Sequence, residues 1–457
     1  MLTLRSKKLK PLSRLISSGV VKPEQVVAGV IQTETMGSGA VDIIYPVYSE
    51  SIVPPSSGGG GGSSNAEKII DVKANIYMTW ILTSKGNLYG SGYNKYGQQG
   101  DGSTTDVLTF TKRAENVKSI SISDYRTFYI TNDNELYGCG YGSGGALSQG
   151  SNDNVYTFTK IAENAKKVIS GGHTVYLDYD NNLYVCGSNG YGQLGTGNTS
   201  SVKTFTKVAS GVKDFAADLY NTFYITTDNK LYGTGYNYDG QLGIGSSGSN
   251  SKLTSFTYLA DNVEEIYNRA SSSWYITSDR ILYGCGKGDR GQQGSGSTSD
   301  VTEFTKRAEN VKKVYPSGGT TYYINNNNEL YGCGAGSEGQ QGSGGTNNIT
   351  KFTKRADNVI DVNLDYDITQ YLNSEGELYG CGEDDYGQQG DGEPLVDLTV
   401  FTKKAESVDK IYTGKDATSW YINKKGDLYG CGRNDYGQQG NGTITNVSTF
   451  TKVNLPF

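Results

Sequence analysis

The chain has one histidine, His173, in 457 residues. A metal site built on imidazoles, or a Ser-His-Asp triad, therefore has almost no material to use. No metal, no cofactor and no catalysis are expected. Positive charge is not in excess: the formal net charge is −6, which gives no electrostatic case for nucleic acid or an anionic membrane. No stretch approaches the roughly 18 apolar residues that a membrane-crossing helix needs. The start, "MLTLRSKKLKPLSRLISSGVVK", is interrupted by Arg5, Lys7, Lys8, Lys10 and Arg14. It does not read as a secretory signal, and its basic, acid-free composition leaves a transit peptide as a minor alternative. Hydrophobic residues are sparse at 35% and proline is scarce at 8.

What is abundant is glycine, at 63, and tyrosine, at 36. Together with β-branched runs they point to many short strands and tight turns. The sequence also repeats. Leu-Tyr recurs at Leu88, Leu136, Leu183, Leu231, Leu282, Leu330, Leu378 and Leu428, with gaps of 48, 47, 48, 51, 48, 48 and 50. A Phe-Thr pair follows each, from Phe110 to Phe450. The eight units run from about Ala66 to Phe457.

Each unit holds four strand-like runs, here called A, B, C and D. In the last unit they are "DKIYT", "SWYIN", "DLYGCG" and "TFTKV". B and C alternate at the period of two that a strand requires, and the B–C links carry the Gly and Asn of tight hairpins. No unit shows a helical pattern. Four antiparallel strands in a unit of about 48 residues, repeated eight times, predict an all-β fold, a β-propeller of eight four-stranded blades. Seven blades plus one displaced unit is the alternative. The chain begins with an A strand and ends with a D strand, so closure is expected from packing between the first and last blades, without a shared strand.

One motif carries a resemblance. "NKYGQQG" (Asn94 to Gly100) returns as "GYGQLG" (Gly190 to Gly195), "YDGQLG" (Tyr238 to Gly243), "DRGQQG" (Asp289 to Gly294), "SEGQQG" (Ser337 to Gly342), "DDYGQQG" (Asp384 to Gly390) and "NDYGQQG" (Asn434 to Gly440). The third unit adds "GGHTVYL" (Gly171 to Leu177). This resembles the repeat of the regulator of chromosome condensation family, over roughly residues 66–457. The second unit departs, with "GSGGALSQG" (Gly142 to Gly150). The resemblance implies a propeller, usually of seven blades, that serves as a binding platform. Family members include exchange factors for a small GTPase, ubiquitin-ligase accessory domains, inhibitors and uncharacterised bacterial and phage proteins. The exchange factor's inserted wedge has no counterpart here, because the units hardly vary in length.

The residues that suggest chemistry have plainer readings. Cys139, Cys186, Cys285, Cys333, Cys381 and Cys431 occupy one position of strand C, with Ser91 and Thr234 in the other two units. Equivalent positions in different blades lie too far apart for disulfides, so each is expected to be a small residue packed between blades. Retained thiols suit a reducing cytosol. The glycines of "GCGRNDYG" do not form a phosphate loop. Gln438 and Gln439 are expected to bond backbone in the turn. "EDD" (Glu383 to Asp385) and "DYDNN" (Asp178 to Asn182) read as turns. Lys112, Lys160, Lys207, Lys306, Lys354, Lys403 and Lys452 share one offset on strand D, where charge blocks edge-to-edge aggregation.

Comparing units with one another locates a binding face. The B–C and D–A links differ little, whereas the A–B and C–D links diverge, and in an up-and-down blade these two emerge on one face. Loops that diverge on a regular scaffold are where recognition is expected. The candidates are Tyr93, Tyr96, Tyr125, Arg126, Tyr191, Tyr220, Tyr236, Tyr238, Arg269, Arg290, Tyr386, Arg433 and Tyr436, since Tyr and Arg dominate interface hot spots.

Residues 1–55 stand outside the repeat and are followed by a Gly/Ser linker, residues 56–65. "KPEQVVAGVIQ" reads as a short helix and "VDIIYPVYSESIVPP" as extended chain. These pieces are too small to form a core, so they are expected to anchor the chain to another protein. With the family analogy, this arrangement resembles phage appendages. The expectation is a non-enzymatic structural protein of a virion, a tail or head fibre or capsid decoration, assembled in the bacterial cytoplasm. It would hold another virion protein, or a further copy of itself, through residues 1–55, and a host-surface glycan or protein through the propeller. A cytoplasmic protein-interaction scaffold or regulator is the alternative.

Overall fold

A computed structural model describes residues 66–457, apart from 270, 393, 394, 415 and 416, together with two short pairs near the start. There Val26–Val27 pairs antiparallel with Val30–Ile31, where the sequence suggested a helix. The β-branched valines and isoleucine favour that extended pairing. The proposed anchoring and linker roles of residues 1–65 otherwise fall outside the described residues.

From Ile69 onward the chain forms eight four-stranded antiparallel sheets, each in the order A-B-C-D. In blade 1 the strands are Ile69–Ala74, Met78–Thr83, Leu88–Gly92 and Val107–Ala114. Blades 2 to 8 begin their A strands at Val117, Ala165, Val212, Val263, Val311, Val359 and Val408. A strands of successive blades lie against one another, and that of blade 8 lies against that of blade 1. A is therefore the inner strand, and all eight units close a single ring.

The core sits between blades rather than within them. Eight clusters of buried side chains fill the eight seams. Met78, Trp80, Leu82 and Leu88 of blade 1, for example, pack on Val117, Ile120 and Tyr129 of blade 2. Period-two alternation sends one face of each sheet forward around the ring and the other back. Within blades, the recurrent tyrosines of B and C stack as cross-strand pairs, such as Tyr129 on Tyr137 at 5.0 Å and Tyr176 on Tyr184 at 4.7 Å. Such pairs each contribute about 0.5–1 kcal/mol, which explains much of the tyrosine excess.

Closure follows the expected route, with no shared strand. The eighth core joins Trp420, Ile422 and Leu428 to Ile69, Val72, Ile81, Tyr89 and Phe110. Across the same seam Ser91 Oγ donates to Gln438 O (3.2 Å), Gln438 Nε2 donates to Ile76 O (2.9 Å), and Thr109 bridges to Asn441. Gly440, at φ +64°, carries no Cβ because one would meet the Phe110 ring at 2.3 Å.

The cysteines are more than spacers. All six are free and buried, and those at 139, 186, 285, 333 and 431 direct the thiol at a backbone oxygen of the preceding blade, at 3.4–3.6 Å. Ser91 donates its hydroxyl at the same place, to Gln438 O, and Thr234 donates one residue earlier, to Gly192 O at 2.9 Å. Strand B adds a second donor to the same carbonyls: Thr127 Oγ1 to Gln98 O, 2.8 Å, and Thr174 Oγ1 to Ala146 O, 2.8 Å. Cys, Ser and Thr alternate there because each can donate. Cys139→Ser is expected to keep a native melting temperature to within a few degrees, whereas Cys139→Leu, which overpacks the seam, is expected to cost about 1–3 kcal/mol. Burial raises the thiols, Cys186 to about 12, so the native chain is expected to resist alkylation at pH 8 until it is unfolded.

Candidate functional site

The Gly-Gln motif builds the frame of the loop face. In blade 8, Asn434 Oδ1 accepts the N–H of Gln439 (2.9 Å) while its Nδ2 donates to Thr443 O and Thr445 O, both 3.0 Å. Gln438 Oε1 accepts Tyr436 N–H (2.9 Å) and Gln439 Nε2 donates to Cys431 O (2.7 Å). These bonds hold the C–D loop, while Gln438 Nε2 reaches across the seam to Ile76 O. Blade 2 keeps the frame with other residues: Ala146 O receives Thr174 Oγ1 at 2.8 Å, and Leu147 is buried where the second glutamine would stand.

The two faces differ as their sequences suggested. On the regular face the positive-φ residue of the B–C turn in blades 1 to 7 accepts an N–H from the start of the next blade's A strand. Val117 donates to Gly86 O, Val263 to Asn229 O and Val408 to Gly376 O, each at 2.9 Å. These turns repeat because they are inter-blade ties. On the other face, A–B turns and C–D loops do meet: Tyr93 N–H donates to Tyr77 O, Tyr141 N–H to Tyr125 O and Tyr236 N–H to Tyr220 O.

The loop face gathers tyrosines at the seams. Three positions converge at each seam: the residue before Gly-Gln of one blade, the A–B turn residue of the next, and the residue just after that blade's strand C. At the 8/1 seam these are Tyr436, Tyr77 and Tyr93, with ring centroids 5.5, 4.9 and 5.3 Å apart. At the 1/2 seam Tyr96, Tyr125 and Tyr141 lie 5.1, 4.8 and 6.2 Å apart. At the 3/4 seam Tyr191, Tyr220 and Tyr236 lie 5.1, 4.8 and 5.7 Å apart, and Tyr238 stacks on Tyr236. The first two triads join through Tyr77 and Tyr125, whose hydroxyls are 3.1 Å apart. That contact and burial push the Tyr125 phenol up, so it stays neutral.

The arginines behave differently. Arg126 is buried, and its guanidinium donates to Tyr141 O, Gly171 O and Ser143 O; it ties loops together. Its register foretold this, since the first residues of the other B strands, such as Met78 and His173, are buried as well. Arg433 covers the Tyr386 ring at 4.9 Å and pairs with Asp435 at 2.6 Å. Arg269 reaches Asp365 at 3.8 Å. Arg290 is exposed and lies over Gly319. The sequence reading did not single out Tyr77 and Tyr141.

The remaining chemical groups are structural. His173 is wholly buried with Nε2 2.6 Å from Thr222 Oγ1, and burial lowers it to about 3, so it remains neutral. Asp178 Oδ1 accepts Asn182 N–H at 2.7 Å in its turn. Six of the seven strand D lysines pair with carboxylates, as Lys160 does with Glu135 and Glu163 and Lys354 with Glu329 and Asp357. Among the described residues no group of three His, Cys, Asp or Glu side chains is arranged to hold a metal ion.

Three comparisons bear on this architecture. A family model described as regulator of chromosome condensation (RCC1) repeat matches residues 168–193, which span the His173 run and the Gly-Gln core of blade 3. No curated protein matches the chain in sequence. Among solved structures it is similar to yeast RCC1 (Prp20) bound to Kap60, at 16% identity over 76% of this chain and 89% of that one, TM-score 0.53. It is similar to human WBSCR16 at 17% identity, over 77% and 86% of the two chains, TM-score 0.52. Prp20p from Saccharomyces cerevisiae aligns at 16% identity over 75% and 91%, TM-score 0.54. At these identities the likeness shows the fold, an RCC1-like β-propeller.

Proposed function

We propose that the chain is a non-enzymatic binding propeller whose A–B/C–D face recognises a partner, held on a virion through residues 1–55. The carrying observation is the asymmetry of the two faces. The regular turns of blades 1 to 7 are spent on tying blades together, whereas the opposite face presents tyrosines at three seams. Tyr supplies large contact area at low entropic cost. The tethered arm suits a fibre or decoration protein that attaches to a host surface. The yeast structures concern proteins that engage Kap60, Gsp1p and histones, which supports protein binding as a use of this fold and supplies the second reading, a cytoplasmic regulator or scaffold.

Purified particles from a bacterium that encodes the chain test the attachment. Immunogold labelling is expected to find the full chain on particles and to lose it when residues 1–55 are deleted. A chain that still joined the particle without them, or one absent from particles altogether, would sink the virion reading.

A further inference from the structure

The three tyrosine triads occupy identical register, and the fold does not require tyrosine there. At the 5/6 seam the same three positions hold Arg290, Gly319 and Ala335, and at the 6/7 seam Glu338, Asp367 and Glu383. The ring therefore also closes with charges, a glycine or a methyl group at these positions. What the triads share is a ligand-facing property: clustered aromatic faces edged with phenol hydroxyls, partly or largely open to solvent. Tyr191 and Tyr220 are 42% and 40% exposed.

They also share a charge state. Burial holds the Tyr93 and Tyr236 phenols above their ordinary range, and no triad includes a cation. The neighbouring guanidiniums are already engaged, Arg126 by three carbonyls and Arg433 by Asp435. The chain carries a net −6. The exposed Lys95 flanks Tyr96 at the 1/2 seam, whereas the 8/1 and 3/4 triads have no cation among their three residues.

Resting on the face assignment above, we propose that the triads at the 8/1, 1/2 and 3/4 seams are equivalent subsites for neutral sugar rings, engaged together by one repeating glycan. Aromatic faces stack on the C–H face of a pyranose while the phenols meet its hydroxyls. Repetition selects a glycan over a folded protein. A partner that uses three copies of one site must itself repeat, as a polysaccharide does. Each subsite binds weakly, and linkage multiplies them into avidity.

The test uses the full chain on an array of immobilised neutral oligosaccharides with their sialylated, sulfated and phosphorylated counterparts. Each triad is disabled by the residues the 5/6 seam already tolerates: Tyr77→Gly with Tyr93→Ala, Tyr125→Gly with Tyr141→Ala, and Tyr220→Gly with Tyr236→Ala. Thermal melts report folding, and the exposed single change Tyr191→Ala serves if a double variant fails to fold. The expected result is binding to neutral glycans, roughly 10- to 100-fold weaker for each triad lost and absent when all three are lost. A blank array, binding to acidic glycans alone, or neutral binding indifferent to the triads overturns the proposal. Adhesion to host cells separates the two readings. Adhesion lost in the triad variants but resistant to periodate means a protein partner on the same face, which overturns only the glycan. Adhesion untouched by the triads removes the face assignment as well.

Discussion

Trp420→Ala is expected to lower the unfolding free energy by about 3–5 kcal/mol and, alone among comparable changes, to open the ring. Trp420 is fully buried at the seam between the first and last blades, edge-on to Phe110 at 6.4 Å. Seven seams have a covalent D-to-A connection to hold them when packing weakens. The eighth has none and no strand crosses it. It rests on its core, on the Ser91 and Gln438 bonds, and on residues 453–457, where Val453 and Leu455 pack on that core and Phe457 lies 5.1 Å from Tyr89. Trp274→Ala provides the control, because Trp274 is equally buried at the 5/6 seam. Both variants should lose similar stability in urea melts. Only Trp420→Ala should speed amide exchange selectively in blades 1 and 8. Equal exchange in the two variants would mean that closure does not depend on this core.

That seam illustrates what the sequence makes legible. The repeat, the four strands per unit and the in-phase start and finish together lead to eight blades closed by packing. The division into regular and divergent links leads to the right pairing of loops, because link length and composition are visible within a unit. The triads are not visible that way. Each takes one residue from one blade and two from the next, so Tyr77 and Tyr141 gain meaning only when units are read across a seam. The thiol contacts had a signal that composition carries: Cys, Ser and Thr share little but a donor. The short pair at Val26–Ile31 shows the opposite difficulty, since a brief apolar run with no periodicity suits strand or helix alike.

Asp384→Asn is expected to stabilise the chain by about 1–3 kcal/mol at pH 8 and to flatten its stability between pH 5 and 8. In blades 1, 3, 4 and 8 the position is Asn94, Asn189, Asn237 and Asn434, each donating Nδ2 to carbonyls of its loop. Blade 7 has Asp384, which is 1% exposed; its Oδ1 still accepts Gln389 N–H at 2.8 Å. An ionised carboxylate there has no N–H to offer. Burial accordingly raises Asp384 to about 6, and burial with Asp367, Asp385, Asp397 and Glu338 raises neighbouring Glu383 to about 7. Both folded values lie above the unfolded ones of about 3.9 and 4.3, so the folded chain binds more protons in that interval. The stabilisation from protonating these groups is complete below about pH 4 and is lost as pH rises through about 6 and 7. Wild-type stability should therefore fall between pH 5 and 8, and Asp384→Asn should remove the Asp384 share while Glu383→Gln removes its own. Denaturant melts at pH 5, 6.5 and 8 measure both. A variant whose pH slope matched wild type would show that the carboxylate at 384 is solvated and that blade 7 bears no penalty for departing from its relatives.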